Sequence, residues 1–133
     1  MNFSELELRD IVTQELNKSA DFAFLMGSAG TERFNSTSDI DLAVFWNAEC
    51  SEGERTDHHR TLEEKFRRDL DVVSLNSIDI IFARQVLETG RLLFCNSPGV
   101  LLNWKMQKLS EYPDFKVSRK PIEDNILKRK KYV

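Results

Sequence analysis

The stretch DFAFLMGSAGTERFNSTSDIDLAVFW, residues 21–46, decides the fold. Asp21 to Met26 is a short, mostly apolar run with two aromatic residues, closed by Gly27, and it reads as a buried strand feeding a tight turn. That turn carries Gly27, Ser28 and Gly30. From Ile40 to Trp46 the even positions (Ile40, Leu42, Val44, Trp46) fall on one face of an extended chain, which leaves Asp39 and Asp41 together on the other. The second strand therefore begins with an acidic mouth.

Working outward, Ser4 with Glu7 three residues on forms a capping box, Phe3 can staple against Leu8, and Leu8, Ile11, Val12 and Leu16 continue an apolar helical stripe. Downstream, SEGERTDHHRTLEEKFRRDL is strongly charged, with Leu62, Phe66 and Leu70 at four-residue spacing. It reads as a loop followed by a surface helix. Leu70 to Leu75 is a third strand, about Ile78 to Glu88 a helix ending at Gly90, and Arg91 to Cys95 a fourth strand. Ser97 and Pro98 open a further helix running through Trp104 and Met106 toward Tyr112, with a short terminal helix expected after Pro121. This order of helices and strands predicts an α/β or α+β fold.

The length of 133 residues corresponds to one domain, 1–133. With 41% hydrophobic and 10% aromatic residues the composition is ordinary for a globular chain. Nineteen basic residues against 22 acidic ones leave a formal net charge of −3, which provides no global pull toward nucleic acid or an anionic membrane. Direct nucleic-acid binding is not expected. Cys50 and Cys95 are too few for a disulfide framework, and no apolar run approaches a membrane span. A soluble protein in a reducing, cytoplasmic setting is the expectation.

Three features carry chemistry: Gly27-Ser28 after the first strand, Asp39-x-Asp41 at the second, and Asp71 at the start of the third. Each alone is compatible with an ordinary turn or a solvated strand end. Together they pose an electrostatic problem, because at about 4 Å and an effective dielectric near 20 each like-charged pair costs on the order of 4 kcal/mol. Divalent cations remove that penalty, and hard oxygen ligands with spare coordination positions are what magnesium uses when it also holds phosphates. Two such ions clamp the attacking and leaving oxygens of an in-line displacement. The preceding glycine turn offers backbone N–H groups and the Ser28 hydroxyl to a phosphate.

GSAGTERFNSTSDID, a Gly-Ser pair, ten residues and then Asp-x-Asp, resembles the signature of the minimal nucleotidyltransferases, small members of the DNA polymerase beta-like superfamily. LDVVSL and RQVLETGRLLF look like the family's third-carboxylate strand with the helix and strand after it. The resemblance covers most of the chain and implies a nucleotidyltransferase fold, a mixed sheet flanked by helices, and transfer of AMP from ATP, with Mg2+, onto a hydroxyl. Gly27 and Ser28 would hold the triphosphate; Asp39, Asp41 and Asp71 would be the catalytic metal ligands, with Asp71 also helping to activate the acceptor hydroxyl. Many such proteins are antitoxins that adenylylate a tyrosine of a HEPN ribonuclease toxin, so a HEPN-type toxin is the implied partner. Glu32 stands where the family often has glycine, which implies a differently shaped turn.

Two other function classes stand beside this one: an antitoxin acting by occlusion alone, and a nucleotidyltransferase for a small hydroxylated molecule. The three carboxylates argue against the first, and the lack of a second lobe against the second. Asp57-His58-His59 lacks the further ligands of a zinc site and reads as a solvated helix start; the KRKK tail reads as a solvated end. Asp69 shares the face of Asp71 if the strand begins early, whereas Asp79 reads as a helix start, where a carboxylate suits the dipole. Trp104 and Tyr112 belong either to the core or to a partner contact.

Overall fold

The computed structural model describes residues 4–27 and 40–111. The expectations for Phe3, Ser28, Gly30, Glu32, Asp39, Tyr112 and the basic tail fall outside them. The elements are α1 (Glu5–Leu16), β1 (Ala20–Met26), β2 (Ile40–Trp46), α2 (Glu52–Phe66), β3 (Leu70–Ser74), α3 (Ile80–Thr89), β4 (Arg91–Cys95) and α4 (Pro98–Ser110). The strands form one sheet in the order β3-β2-β1-β4. β1 is antiparallel to both β2 and β4, whereas β2 and β3, joined through α2, are parallel. The sheet is mixed, as the family resemblance implies. No helix of the described residues is long and apolar enough to cross a membrane.

The strand periodicity explains where the two halves of the core sit. On β2, the even residues Ile40, Leu42, Val44 and Trp46 pack with Leu8, Val12 and Leu16 of α1 and Leu62 and Phe66 of α2. The odd residues Ala43 and Phe45 face the other way, toward Ala83 and Val86 of α3 and Leu101 and Trp104 of α4. Helices thus cover both faces, so β1 is apolar almost throughout instead of alternating. Phe22 is fully buried, stacked on Phe45 at 4.9 Å between ring centroids and 5.7 Å from Trp104. Each fully buried side chain of this size contributes about 1.5–3 kcal/mol. Trp104 is thereby assigned to the core and not to a partner surface, and its indole N–H donates to the Leu75 carbonyl at 3.1 Å.

Local chemistry sets the boundaries. The Ser4 and Glu7 capping box opens α1 as expected, and a second one, Ser51 with Glu54, opens α2. The charged stretch after Cys50 is therefore helix from Glu52 onward and not a loop first, because reciprocal caps stabilise the first turn where the apolar stripe has not yet begun. Arg67 adopts a left-handed conformation (φ 54°) that ends α2, placing Leu70 in β3 and not on the helix stripe. Asp79 caps α3 by accepting from the Phe82 N–H at 2.8 Å, so that helix starts at Ile80 and not at Ile78. A Cβ at Gly90 would stand 2.5 Å from the Val86 carbonyl oxygen and 3.1 Å from Met26. The missing side chain lets α3 close against β1 and turn directly into β4.

Candidate active site

β1 ends where β2, β3 and β4 begin, so Gly27, Asp41, Asp71 and Arg91 collect at one end of the sheet. Asp41 and Asp71 are register partners on adjacent parallel strands, and in a parallel pair such residues project from the same face, with strands about 4.8 Å apart. Asp41 also pairs with Met26 across the antiparallel β1, which brings its carboxylate over the Gly27 turn. Gly27 has φ 70°, and a Cβ there would lie 3.0 Å from Asp41 Oδ2. Glycine is needed twice over, for the left-handed backbone and for the close carboxylate.

These residues line a cleft of about 670 Å³. Three of the five residues singled out in the sequence, Gly27, Asp41 and Asp71, share it; Ser28 and Asp39 lie outside the described residues. Asp69 lies just before β3, where its carbonyl accepts from the Ile40 N–H, and does not line the cleft. Asp79 is occupied as a helix cap.

Several lining residues were not anticipated. His59, read from the sequence as part of a solvated helix start, instead lies within α2: its Nε2–H donates to the Leu70 carbonyl at 2.5 Å, while the Leu70 N–H donates to Glu63 at 3.0 Å. One turn of α2 thus grips both backbone groups of the residue preceding Asp71 and fixes where β3 begins. Phe82, Gln85 and Thr89 of α3 form an opposite wall, and Arg91 stands at the rim. Gly90 was the available signal for Arg91, since a glycine between a helix and a strand allows the strand to start hard against the sheet end. Nothing in the local pattern of α3 points to its wall of the cleft.

The donor set suits a hard cation. Two carboxylates emerge in register on the same face beside open space, an all-oxygen arrangement of the kind that binds magnesium together with phosphate. Among the described residues no group of three or more metal-ligating side chains occurs, and the expected third carboxylate, Asp39, is not among them.

The family model described as polymerase beta, nucleotidyltransferase, matches residues 8–99. The chain belongs to the polymerase beta nucleotidyltransferase family. The matched span includes Gly27, Asp41, His59, Asp71 and Arg91, so the cleft lies within the nucleotidyltransferase domain. Three solved structures share the fold. A toxin–antitoxin complex with AMP-PNP matches with a TM-score of 0.67 at 21% identity, covering 90% of this chain and 98% of the other. The toxin–antitoxin pair MntA-HepT gives 0.62 at 20%, over 90% and 96%. The tri-AMPylated Shewanella oneidensis HEPN toxin in complex with MNT antitoxin gives 0.64 at 21%, over 92% and 98%. No curated protein matches the chain.

Proposed function

We propose that residues 1–133 act as a single nucleotidyltransferase domain that moves AMP from ATP to a hydroxyl, the acceptor being a tyrosine of a HEPN-type toxin partner. The observation that carries this reading is the register of Asp41 with Asp71 beside the Gly27 turn, inside a cleft open to solvent. The acceptor is argued from fold relatives, one a toxin–antitoxin complex with AMP-PNP and another containing a tri-AMPylated HEPN toxin. The two free cysteines, one of them buried, fit a reducing cytoplasmic setting.

In this reading the acceptor oxygen attacks the α-phosphorus of ATP, forming a phosphoester bond as the bond to the bridging oxygen breaks and pyrophosphate leaves. The Gly27-Ser28 turn holds the triphosphate with backbone N–H groups. Asp71 faces the acceptor and takes up its proton, while Asp41, between β1 and β3, serves both the phosphate side and the acceptor side. Asp39, Asp41 and Asp71 would hold Mg2+, which when bound neutralises triphosphate charge and aligns the reacting oxygens. His59 and Glu63 act indirectly, by holding the backbone on which Asp71 stands. Positioning and charge stabilisation supply most of the acceleration in such transfers.

The test is incubation of the protein with α-labelled ATP, magnesium and the product of the adjacent gene, followed by intact-mass analysis. An added AMP on a tyrosine of the partner is expected. Stable complex formation without label would favour neutralisation by occlusion, and labelling of a small hydroxylated compound instead would favour the small-substrate class.

A further inference from the structure

Among the described lining residues of the cleft, Asp41 and Asp71 are the two carboxylates and Arg91 the one permanent cation. Its position follows from topology. β4 runs antiparallel to β1 with Arg91 opposite Leu25, so its side chain starts two residues short of the Gly27 turn and on the neighbouring strand. The guanidinium reaches that turn: Nη1 donates to the Gly27 carbonyl at 3.1 Å. On its other side Nε donates to Glu5 Oε1 at 2.5 Å, tying the group to the first turn of α1. Three separate elements therefore meet at one cationic group beside the glycine turn.

The exposure of the pair says what it is good for. The side chains of Arg91 and Glu5 are 31% and 34% exposed, and ion pairs this accessible contribute little to stability. Glu5 is thus a weak holder that keeps the guanidinium oriented without neutralising it irreversibly. A guanidinium is planar, always charged, and suited to bidentate contact with phosphate oxygens.

We propose that Arg91 is a triphosphate-binding residue, meeting the β- and γ-phosphates of a nucleotide whose chain lies along the Gly27 turn, with Glu5 as the placeholder that the phosphates displace. This rests on the nucleotidyl-transfer reading of the cleft and adds to it the cation that offsets the charge Asp41 and Asp71 bring to the same space. The role is specific to the phosphates beyond the first, because Arg91 sits on the β1–β4 side of the turn, away from the Asp71 strand where the acceptor is expected.

Titration calorimetry of the purified full chain with ATP and with AMP, both with magnesium, tests it. Arg91→Met should weaken ATP binding by about tenfold or more, the usual worth of a charged hydrogen-bond partner, while changing AMP binding by less than about threefold. Arg91→Lys should recover part of the loss, and Glu5→Gln should bind ATP as well as the wild type or more tightly. Equal weakening of ATP and AMP by Arg91→Met would mean that the side chain only scaffolds the turn, and would overturn the proposal; so would a Glu5→Gln loss as large as that of Arg91→Met. Unchanged ATP binding by Arg91→Met, with the wild type binding normally, overturns the role of Arg91 and leaves the nucleotide reading standing. A wild-type chain that binds no ATP removes both.

Discussion

At the end of the sheet where β1 starts and β2 finishes, Glu15, His58 and Lys65 satisfy one another. His58 Nδ1–H donates to Glu15 at 2.7 Å, its Nε2 lies 2.8 Å from the Ser19 hydroxyl, and its ring stacks on Trp46. Lys65 adds a second bond to Glu15 at 3.1 Å. At the opposite end, Asp41 and Asp71 project side by side into a cleft, and the Asp71 carboxylate makes no hydrogen bond to a described residue. The same sheet therefore has one end where a charged network closes on itself and one where the Asp71 carboxylate faces an open cleft. Changes at the closed end should cost stability, and changes at the open end should cost activity.

The largest expected effect comes from the open end. Asp41→Asn and Asp71→Asn each keep side-chain volume but remove a charge that the proposed metal site requires, and transfer should fall by at least about a thousandfold, matching several kcal/mol of lost transition-state stabilisation. Their melting temperatures should hold or rise, since removing one of two like charges relieves repulsion. Transfer rates with labelled ATP alongside thermal melts check both halves. Wild-type rates for Asp41→Asn would show that this carboxylate is no ligand.

His58→Ala is the matching change at the closed end. It leaves Glu15 and Ser19 short of a partner in a half-buried setting, and about 1–3 kcal/mol of stability should be lost. Transfer per folded molecule should stay near the wild-type rate, read by denaturant titration and by activity corrected for folded fraction. A fall in activity without a fall in stability would mean that the two ends are coupled, and the contrast would fail.

The acid dependence of stability sharpens the same contrast. Burial alone would raise the Glu15 carboxyl, but the hydrogen bonds and charges of His58 and Lys65 outweigh it and hold it below the ordinary carboxylate value. A carboxyl held low in the folded state binds its proton more readily when unfolded. Its contribution is present above the unfolded value, about 4.3, and is lost as pH falls through the lower folded value. Glu15→Gln should accordingly flatten the acid limb of the stability profile below about pH 4.3, measured as melting temperature against pH, with little change in slope near neutrality. An unaltered acid limb would show that this network does not hold the closed end.

How much of this was legible in the sequence differs between the two ends for a physical reason. The strand alternation of Ile40 to Trp46 and the apolar run of β1 are local patterns, and they place Gly27 and Asp41 at the mouth without knowledge of the rest. Asp71 joins them because a strand starting at Leu70 and running parallel to β2 puts the two aspartates in register. The closed end has no such signal. Asp57-His58-His59 sits in a highly charged helix with few apolar residues, and nothing within α2 reveals that one histidine bridges Glu15 and Ser19, 43 and 39 positions away, while the next grips the start of β3. For Arg91 the sequence carried half the signal: Gly90 marks where β4 begins, but only the pairing of β4 with β1 takes Arg91 to the glycine turn.

The smallest expected effect separates core from surface at Trp104, a residue whose sequence allowed either. The ring lies among Phe22 and Phe24, and the indole N–H meets the Leu75 carbonyl just beyond the end of β3. Trp104→Phe keeps an aromatic ring in the cluster but leaves that carbonyl without its indole donor, so the cost should be about 1 kcal/mol plus a modest packing loss. Because the side chain is only 4% exposed, it has almost no surface to offer a partner. Affinity for the proposed HEPN-type partner should therefore be unchanged within about twofold, well under the tenfold that 1.4 kcal/mol would bring. Denaturant titration and a binding isotherm on the same variant decide the matter: a stable Trp104→Phe protein that has lost its partner would return the residue to the interface and require α4 to open when the partner docks.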